Sequence, residues 1–246
     1  MNAATKAPSS GATTTRSDGA RALVIGNSDG IGLALTKRLL GRGYRVTGIS
    51  RSPSSIEHGA YDHVVCNVTS DHYPSSVARA LEAGPLDLCV FCVGVGELLD
   101  LTDWTHEARV FRTNLLGLVD TTSAVLPAMR ARGTGHFVGL SSIADRTIGA
   151  EAPSYAASKA AMSSYLAGLA LALRPHGVTV STVRFGFVDT KMAKGPVRPF
   201  MMSRDRAVRV IERVLARRPI RRSAPLPMAM LCAVLGSLMQ CRVLLG

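Results

Sequence analysis

Cysteines, aromatic residues and acids are all scarce in this chain of 246 residues. The five cysteines, Cys66, Cys89, Cys92, Cys232 and Cys241, follow no disulfide-framework spacing. That excludes a small stapled secreted domain and makes a reducing compartment, the cytoplasm, the expected location. Cys89 and Cys92 form a C-x-x-C, but the stretch 86–93 around them reads as a buried strand. Residues three apart on a strand face opposite sides, so the two thiols cannot share a metal, and no metal site is expected. Aromatic residues make up only 5% of the chain, too few for a base-stacking platform, and no nucleic-acid-binding signature is present. The 29 Lys and Arg outnumber the 17 Asp and Glu, for a net charge of +12. Much of the surplus is local: 184–222 holds twelve basic and three acidic residues, 12 − 3 = 9 in one segment. A surface facing an anionic ligand or a membrane accounts for that better than nucleic acid does. Residues 1–20 lack an apolar core, which excludes a secretory signal there and reads as a disordered leader.

What is present in quantity is apolar sequence in short, evenly spaced runs. With 47% apolar and 19% charged residues, the chain is long enough for one α/β domain with a sizeable core. The run 21–25 is a short buried strand that leads straight into Gly26-Asn27-Ser28-Asp29-Gly30-Ile31-Gly32 and then an amphipathic helix. Strand, glycine turn and helix together present backbone N–H groups and a helix N-terminus to a pyrophosphate. A second strand, 44–49, ends in Ser50-Arg51-Ser52. A carboxylate at this place accepts from a ribose 2′-hydroxyl, whereas an arginine suits a 2′-phosphate. Arg51 therefore favours NADP(H), with NAD(H) as the alternative because Asp29 stands in the turn. Further strands are expected to end near 64–68 (Asn67 and Val68), at 86–93 before Gly94, at Ser141-Ser142, and over 177–183. Helices are expected over 75–83, 104–132 with a kink at Pro127, and 153–174. Strands alternating with helices imply a parallel sheet covered on both faces.

The chemistry gathers in 141–159. Tyr155 and Lys159 lie four apart, on one face of a helix, and Ser142 stands 13 residues before the tyrosine. A phenol is a poor acid at neutral pH, but a neighbouring ammonium favours the phenolate and lets it exchange a proton with substrate. A hydroxyl beside them can hold a carbonyl oxygen. Asn114, inside a helical pattern, would alone signify little.

In combination and spacing, Gly26-x3-Gly30-x-Gly32, Asn114, Ser142, Tyr155-x3-Lys159 and Gly186-x-Val188-x-Thr190 resemble the short-chain dehydrogenase/reductase family. The resemblance covers roughly 21–215. It implies a Rossmann-type, doubly wound parallel sheet of seven strands in the order 3-2-1-4-5-6-7, and hydride transfer between a nicotinamide and a carbonyl or alcohol. It also implies roles. Tyr155 would be the general acid/base; Lys159 would tune it and hold the nicotinamide ribose. Ser142 would bind the substrate oxygen, and Asn114 would support a water leading from Lys159 to solvent. Gly186, Val188 and Thr190 would wrap the carboxamide, Gly94 would back the adenosine ribose, and Asn67 with Val68 would meet the adenine. A homo-oligomer, dimer or tetramer, is implied as well. Three positions depart from the family pattern: Phe91-Cys92-Val93-Gly94 stands for Asn-Asn-Ala-Gly, Asn67 for Asp, and Phe185 for Pro.

The substrate side is less defined. The segment 191–203 carries Met192, Phe200, Met201 and Met202, which suit either a pliable apolar pocket or core contacts. An apolar small-to-medium carbonyl or alcohol is the expected substrate. The domain is expected over 21–222, and 223–246 as an apolar helix. That tail has a clean apolar run of 228–239, too short to span a bilayer that needs about 20 residues. Burial against the domain or a partner subunit is the first expectation, and a membrane surface is the alternative. A dinucleotide-binding protein with a sensing or assembly role is the other functional class, though the phenol would be superfluous there.

Overall fold

The computed structural model describes residues 19–193 and 199–245. The expected leader, apart from its last two residues, and the 194–198 part of the substrate segment lie outside them. Seven strands form one sheet: β1 Arg21–Ile25, β2 Arg45–Ser50, β3 Tyr61–Val65, β4 Leu88–Phe91, β5 Gly135–Ser142, β6 Val178–Phe185 and β7 Arg221–Ala224. Their order is β3-β2-β1-β4-β5-β6-β7, every pair parallel. This is the Rossmann-type order expected from the resemblance. The order reverses between β1 and β4, and the crevice above their C-terminal ends is where such sheets bind ligands.

Parallel strands covered on both faces read as continuous apolar runs, and β5 is buried at every position. One face packs against α1 (Gly30–Leu40) and α6 (Arg204–Arg217), with Leu35, Leu39, Val208 and Ile211 in the contact. The other packs against α2 (Tyr73–Glu82), α4 (Gly117–Arg132) and α5 (Pro153–Leu173), through Val77, Leu118, Val125, Met162 and Leu166. Cys89 belongs to the second cluster, while Cys92 packs on the first, so the two thiols do face opposite sides. Burial pushes both thiols up, Cys92 to about 12, which leaves them protonated and unreactive.

Several boundaries differ from the sequence reading. β3 stops at Val65, leaving Cys66 and Asn67 outside it, ahead of the turn at Val68 and Thr69. The expected helix 104–132 is interrupted: α3 (Thr105–Phe111) passes through a π-helical turn, Arg112–Leu116, into α4. The irregularity falls there, whereas Pro127 sits inside a continuous α4. β7 crosses the expected boundary at 222, because Arg221–Ala224 has no apolar alternation to betray a strand.

The tail departs most. It forms α7, Leu226–Leu245, a helix of 20 residues, so the helical run continues through Arg242 and is long enough to span. Only Ala229 and Gly236 are buried. A Cβ at Gly236 would come within 1.7 Å of the Arg146 carbonyl oxygen, so the helix lies directly on that backbone. The rest of the apolar surface faces outward: Met230, Leu231, Val234 and Leu238 are 63%, 54%, 60% and 61% exposed. Burial against the chain's own domain is therefore corrected to contact along a single line.

Candidate active site

The first strand ends in the glycine turn, and the glycines there are required by shape. Gly26 has φ +83°, and a Cβ on it would strike Val93. A Cβ on Gly32 would lie 2.0 Å from the Gly26 carbonyl oxygen, so only glycine lets α1 start this close to the strand. Asp29 caps the helix, its carboxylate accepting from the Gly30 N–H at 2.7 Å. Ser28 and Ile31 are half-buried in the same turn, Ile31 against the core. The turn and the N-terminus of α1 form a cradle lined by backbone N–H groups, which suits a pyrophosphate.

Ser142, Tyr155 and Lys159 converge beside it. Ser142 ends β5 opposite Phe185 in the β6 register, immediately before Gly186. Its hydroxyl donates to the Phe185 carbonyl at 3.3 Å and accepts from the Ala144 N–H at 3.2 Å, where a 3-10 turn, Ile143–Arg146, begins. The Tyr155 phenol is the next polar group beside it. Lys159 Nζ lies 5.9 Å from the centre of the tyrosine ring and donates to the Leu140 carbonyl at 3.1 Å. Burial pushes the Tyr155 phenol up, and the neighbouring Ser142 hydroxyl pulls weakly against it. Burial likewise pushes the Lys159 ammonium down, to about 8. In this geometry desolvation outweighs the lowering of the phenol that the Tyr-Lys spacing suggested. The ammonium is aimed at the Leu140 carbonyl and lies 5.9 Å from the ring centre.

Asn114 is fully buried in the π-helical turn, an irregularity that often marks functional positions. Its Oδ1 accepts from the Val95 N–H at 2.8 Å, and its Nδ2 donates to the Val95 carbonyl at 2.9 Å and to Ser158 Oγ at 3.0 Å. Ser158 Oγ in turn donates to the Tyr155 carbonyl at 2.8 Å. The asparagine thus ties the loop after β4 to the helix carrying Tyr155 and Lys159. Gly94 stands in that loop, where a Cβ would be 3.2 Å from both Lys159 Nζ and the Met192 methyl.

The remaining predicted residues spread along the crevice. Thr190 packs against Gly30, so the glycine turn and the segment after β6 touch, and Val188 is buried in a bridge to Met202. A Cβ at Gly186 would meet Met228 of α7 at 3.0 Å. Arg51 is exposed just past the end of β2. Asn67 is exposed and accepts from the Thr69 N–H, while the Val68 side chain is buried against Gly117.

Three features escaped the sequence. Lys191 pairs with Asp29 at 2.8 Å and holds that carboxyl below its usual range. Asn27, fully buried, turns away from the crevice and donates to Tyr61, which is paired with His63. Arg184 and Asp145 form a buried ion pair joining β6 to the turn after Ser142. Each partner is remote in sequence, and no spacing rule links them.

A parallel sheet with this order, a glycine cradle at its switch point and a Ser-Tyr-Lys cluster beside it define an NAD(P)-binding oxidoreductase. The model of the short chain dehydrogenase family matches residues 20–198, and the chain belongs to that family. An oxidoreductase of Staphylococcus haemolyticus is 32% identical over 191 residues, covering 73% of this chain and 83% of that one. A 3-oxoacyl-[acyl-carrier-protein] reductase of Vibrio cholerae is 30% identical over 188 residues, 72% of this chain and 77% of its own. The crystal structure of a short chain dehydrogenase from Burkholderia cenocepacia in complex with NADP superposes with a TM-score of 0.79 at 27% identity, over 88% of this chain and 92% of that one.

Proposed function

We propose that this chain is an NADP(H)-dependent reductase of a carbonyl group, or dehydrogenase of the matching secondary alcohol, acting on a small-to-medium apolar substrate. The observation that carries the reading is the convergence of Ser142, Tyr155 and Lys159 beside the glycine cradle. A nicotinamide cofactor, when bound, supplies or accepts the hydride. Gly26, Ser28, Asp29, Gly30, Ile31 and Gly32 hold its pyrophosphate at the start of α1. Gly94, Lys159, Gly186, Val188 and Thr190 hold its ribose and carboxamide, and Asn67 and Val68 bound the adenine. The Ser142 hydroxyl holds the substrate oxygen, and Tyr155 passes a proton to it or takes one from it. Lys159 stabilises the phenolate, and Asn114 positions the helix that carries both. The reductase from Vibrio cholerae, named for a 3-oxoacyl substrate, supports a carbonyl as the reacting group. A homo-oligomer working in the cytoplasm is part of the same reading.

Arg51 supports NADP(H) over NAD(H). It is exposed where a 2′-phosphate would lie, and Asp29, the one carboxylate nearby in the turn, is already paired with Lys191. A charge-assisted hydrogen bond to phosphate contributes roughly 1.5–3 kcal/mol. Arg51→Ala should therefore weaken NADPH binding about tenfold or more and leave NADH binding nearly unchanged. Titration of both cofactors checks this, and a wild type that prefers NADH would contradict it. The reaction itself is tested by following NADPH absorbance across a panel of carbonyl compounds, where no turnover of any apolar ketone or aldehyde would defeat the reading.

A further inference from the structure

We propose that α7 docks the enzyme on an anionic lipid bilayer, lying in the plane of the surface with its apolar side chains among the acyl chains and the neighbouring arginines among the headgroups. Three observations meet here. At about 100° per residue, the exposed apolar side chains of α7 spread over roughly 260° of its circumference. Leu226 opens the series, and Val243, Leu244 and Leu245 close it at 68%, 83% and 88% exposed. A second copy of the chain would cover one face of such a helix and leave the rest in water. A bilayer can cover the apolar part of the arc while Arg242, which falls within it, reaches to the headgroups.

Charge makes the same choice. Past Glu212 the sequence holds no acidic residue, and its six arginines, Arg213, Arg217, Arg218, Arg221, Arg222 and Arg242, are all exposed. Arg221 and Arg222 stand on β7, which α7 packs against, and Arg242 stands on α7 itself, so pairing two copies through α7 would bring these charges together, whereas anionic headgroups complement them. The seating of the helix sets its attitude. Ala229 and Gly236 hold it lengthwise on the domain, with Gly236 against the Arg146 carbonyl. A helix held at two points along its length lies on a membrane and does not cross it. That line of contact runs beside the catalytic cluster, since Arg146 ends the turn after Ser142 and Met228 touches Gly186. Docking through α7 thus brings the substrate end of the crevice close to the lipid surface.

Sedimentation of the full chain with vesicles tests this. Vesicles of phosphatidylcholine with phosphatidylglycerol should pellet the protein, with binding that weakens in raised salt and on pure phosphatidylcholine. The double variant Val234→Glu/Leu238→Glu changes two exposed positions, and it should lose about tenfold or more in vesicle affinity with an unchanged melting temperature. Arg221→Gln/Arg222→Gln should lose affinity for anionic vesicles and flatten the salt dependence, again without a change in melting. Wild type that ignores phosphatidylglycerol vesicles would overturn the proposal, as would a glutamate pair that binds them as well as wild type. A wild-type dimer that the glutamate pair dissociates, with no vesicle binding, would assign the face to a second copy and overturn it too.

Discussion

Two of the described helices are long and apolar enough to cross a membrane, and they meet opposite fates. The most apolar 18 residues of Pro153–His176, which begins with α5, have a mean hydropathy of 1.2, and 39% of them are buried; those of α7 have 1.8, and 11% are buried. The more apolar of the two is the one left outside. α5 closes on the sheet through small residues, Ala156, Ser158 and Ala170, and through Met162 and Leu166, which fill the space over β5. That close approach carries Tyr155 and Lys159 to the crevice. α7 follows the last strand at the sheet's edge, where the domain offers one narrow seat between Ile143–Arg146 and Gly186. Hydropathy states what a helix tolerates; the available partner surface decides whether it is buried.

That contrast can be broken residue by residue. Leu166 is fully buried, and its Cδ1 lies 2.4 Å from where a Gly139 Cβ would stand. Leu166→Ala should cost about 2–5 kcal/mol of stability in denaturant unfolding, since it opens a cavity where α5 packs closely on β5. Lys159→Met works in the other direction. Burial lowers the folded pKa of Lys159 from 10.5 to about 8, so the unfolded state binds more protons between those values. This group therefore destabilises the fold below pH 8, and wild-type stability gains from it as pH rises towards 10.5. At pH 7 the penalty is at most roughly 3 kcal/mol. Lys159→Met should unfold at higher denaturant at pH 7, lose that advantage at high pH, and be inactive throughout. An unchanged midpoint at pH 7 would mean that the ammonium is solvated. The smallest effect is expected on α7: Leu231→Ala, at a position 54% exposed, should shift stability by less than about 0.5 kcal/mol without lipid. A loss of several kcal/mol there would show that α7 is covered in solution.

The same contrast marks how far the sequence could be read. The glycine cradle and the Ser-Tyr-Lys set were legible because each is local, a strand, a turn or a helix in one continuous stretch, whereas the strand order is non-local and came only with the family resemblance. β7 was not, since Arg221 and Arg222 are exposed and an edge strand held by a single neighbour needs no apolar pattern. The π-helical turn was hidden because Asn114 in a helical pattern looks like any polar residue until Val95 and Ser158 surround it. Asp29 drew attention as a rival to Arg51, yet its partner Lys191 comes from the far end of the fold. The length of α7 was understated because Gln240 and Arg242 interrupt the apolar run without interrupting the helix. Its exposure lay beyond any periodicity, since a helix apolar all round carries the same pattern buried or bare.

The most direct test is Tyr155→Phe, assayed with NADPH on whichever carbonyl the panel identifies. The phenylalanine keeps the ring against Gly96 and removes only the transferable proton. Turnover should fall by about 10²- to 10⁴-fold, the usual contribution of general acid–base catalysis, with NADPH affinity and melting temperature close to wild type. Turnover within a fewfold of wild type would contradict the assignment of Tyr155 as the proton donor and, with it, the account of this site.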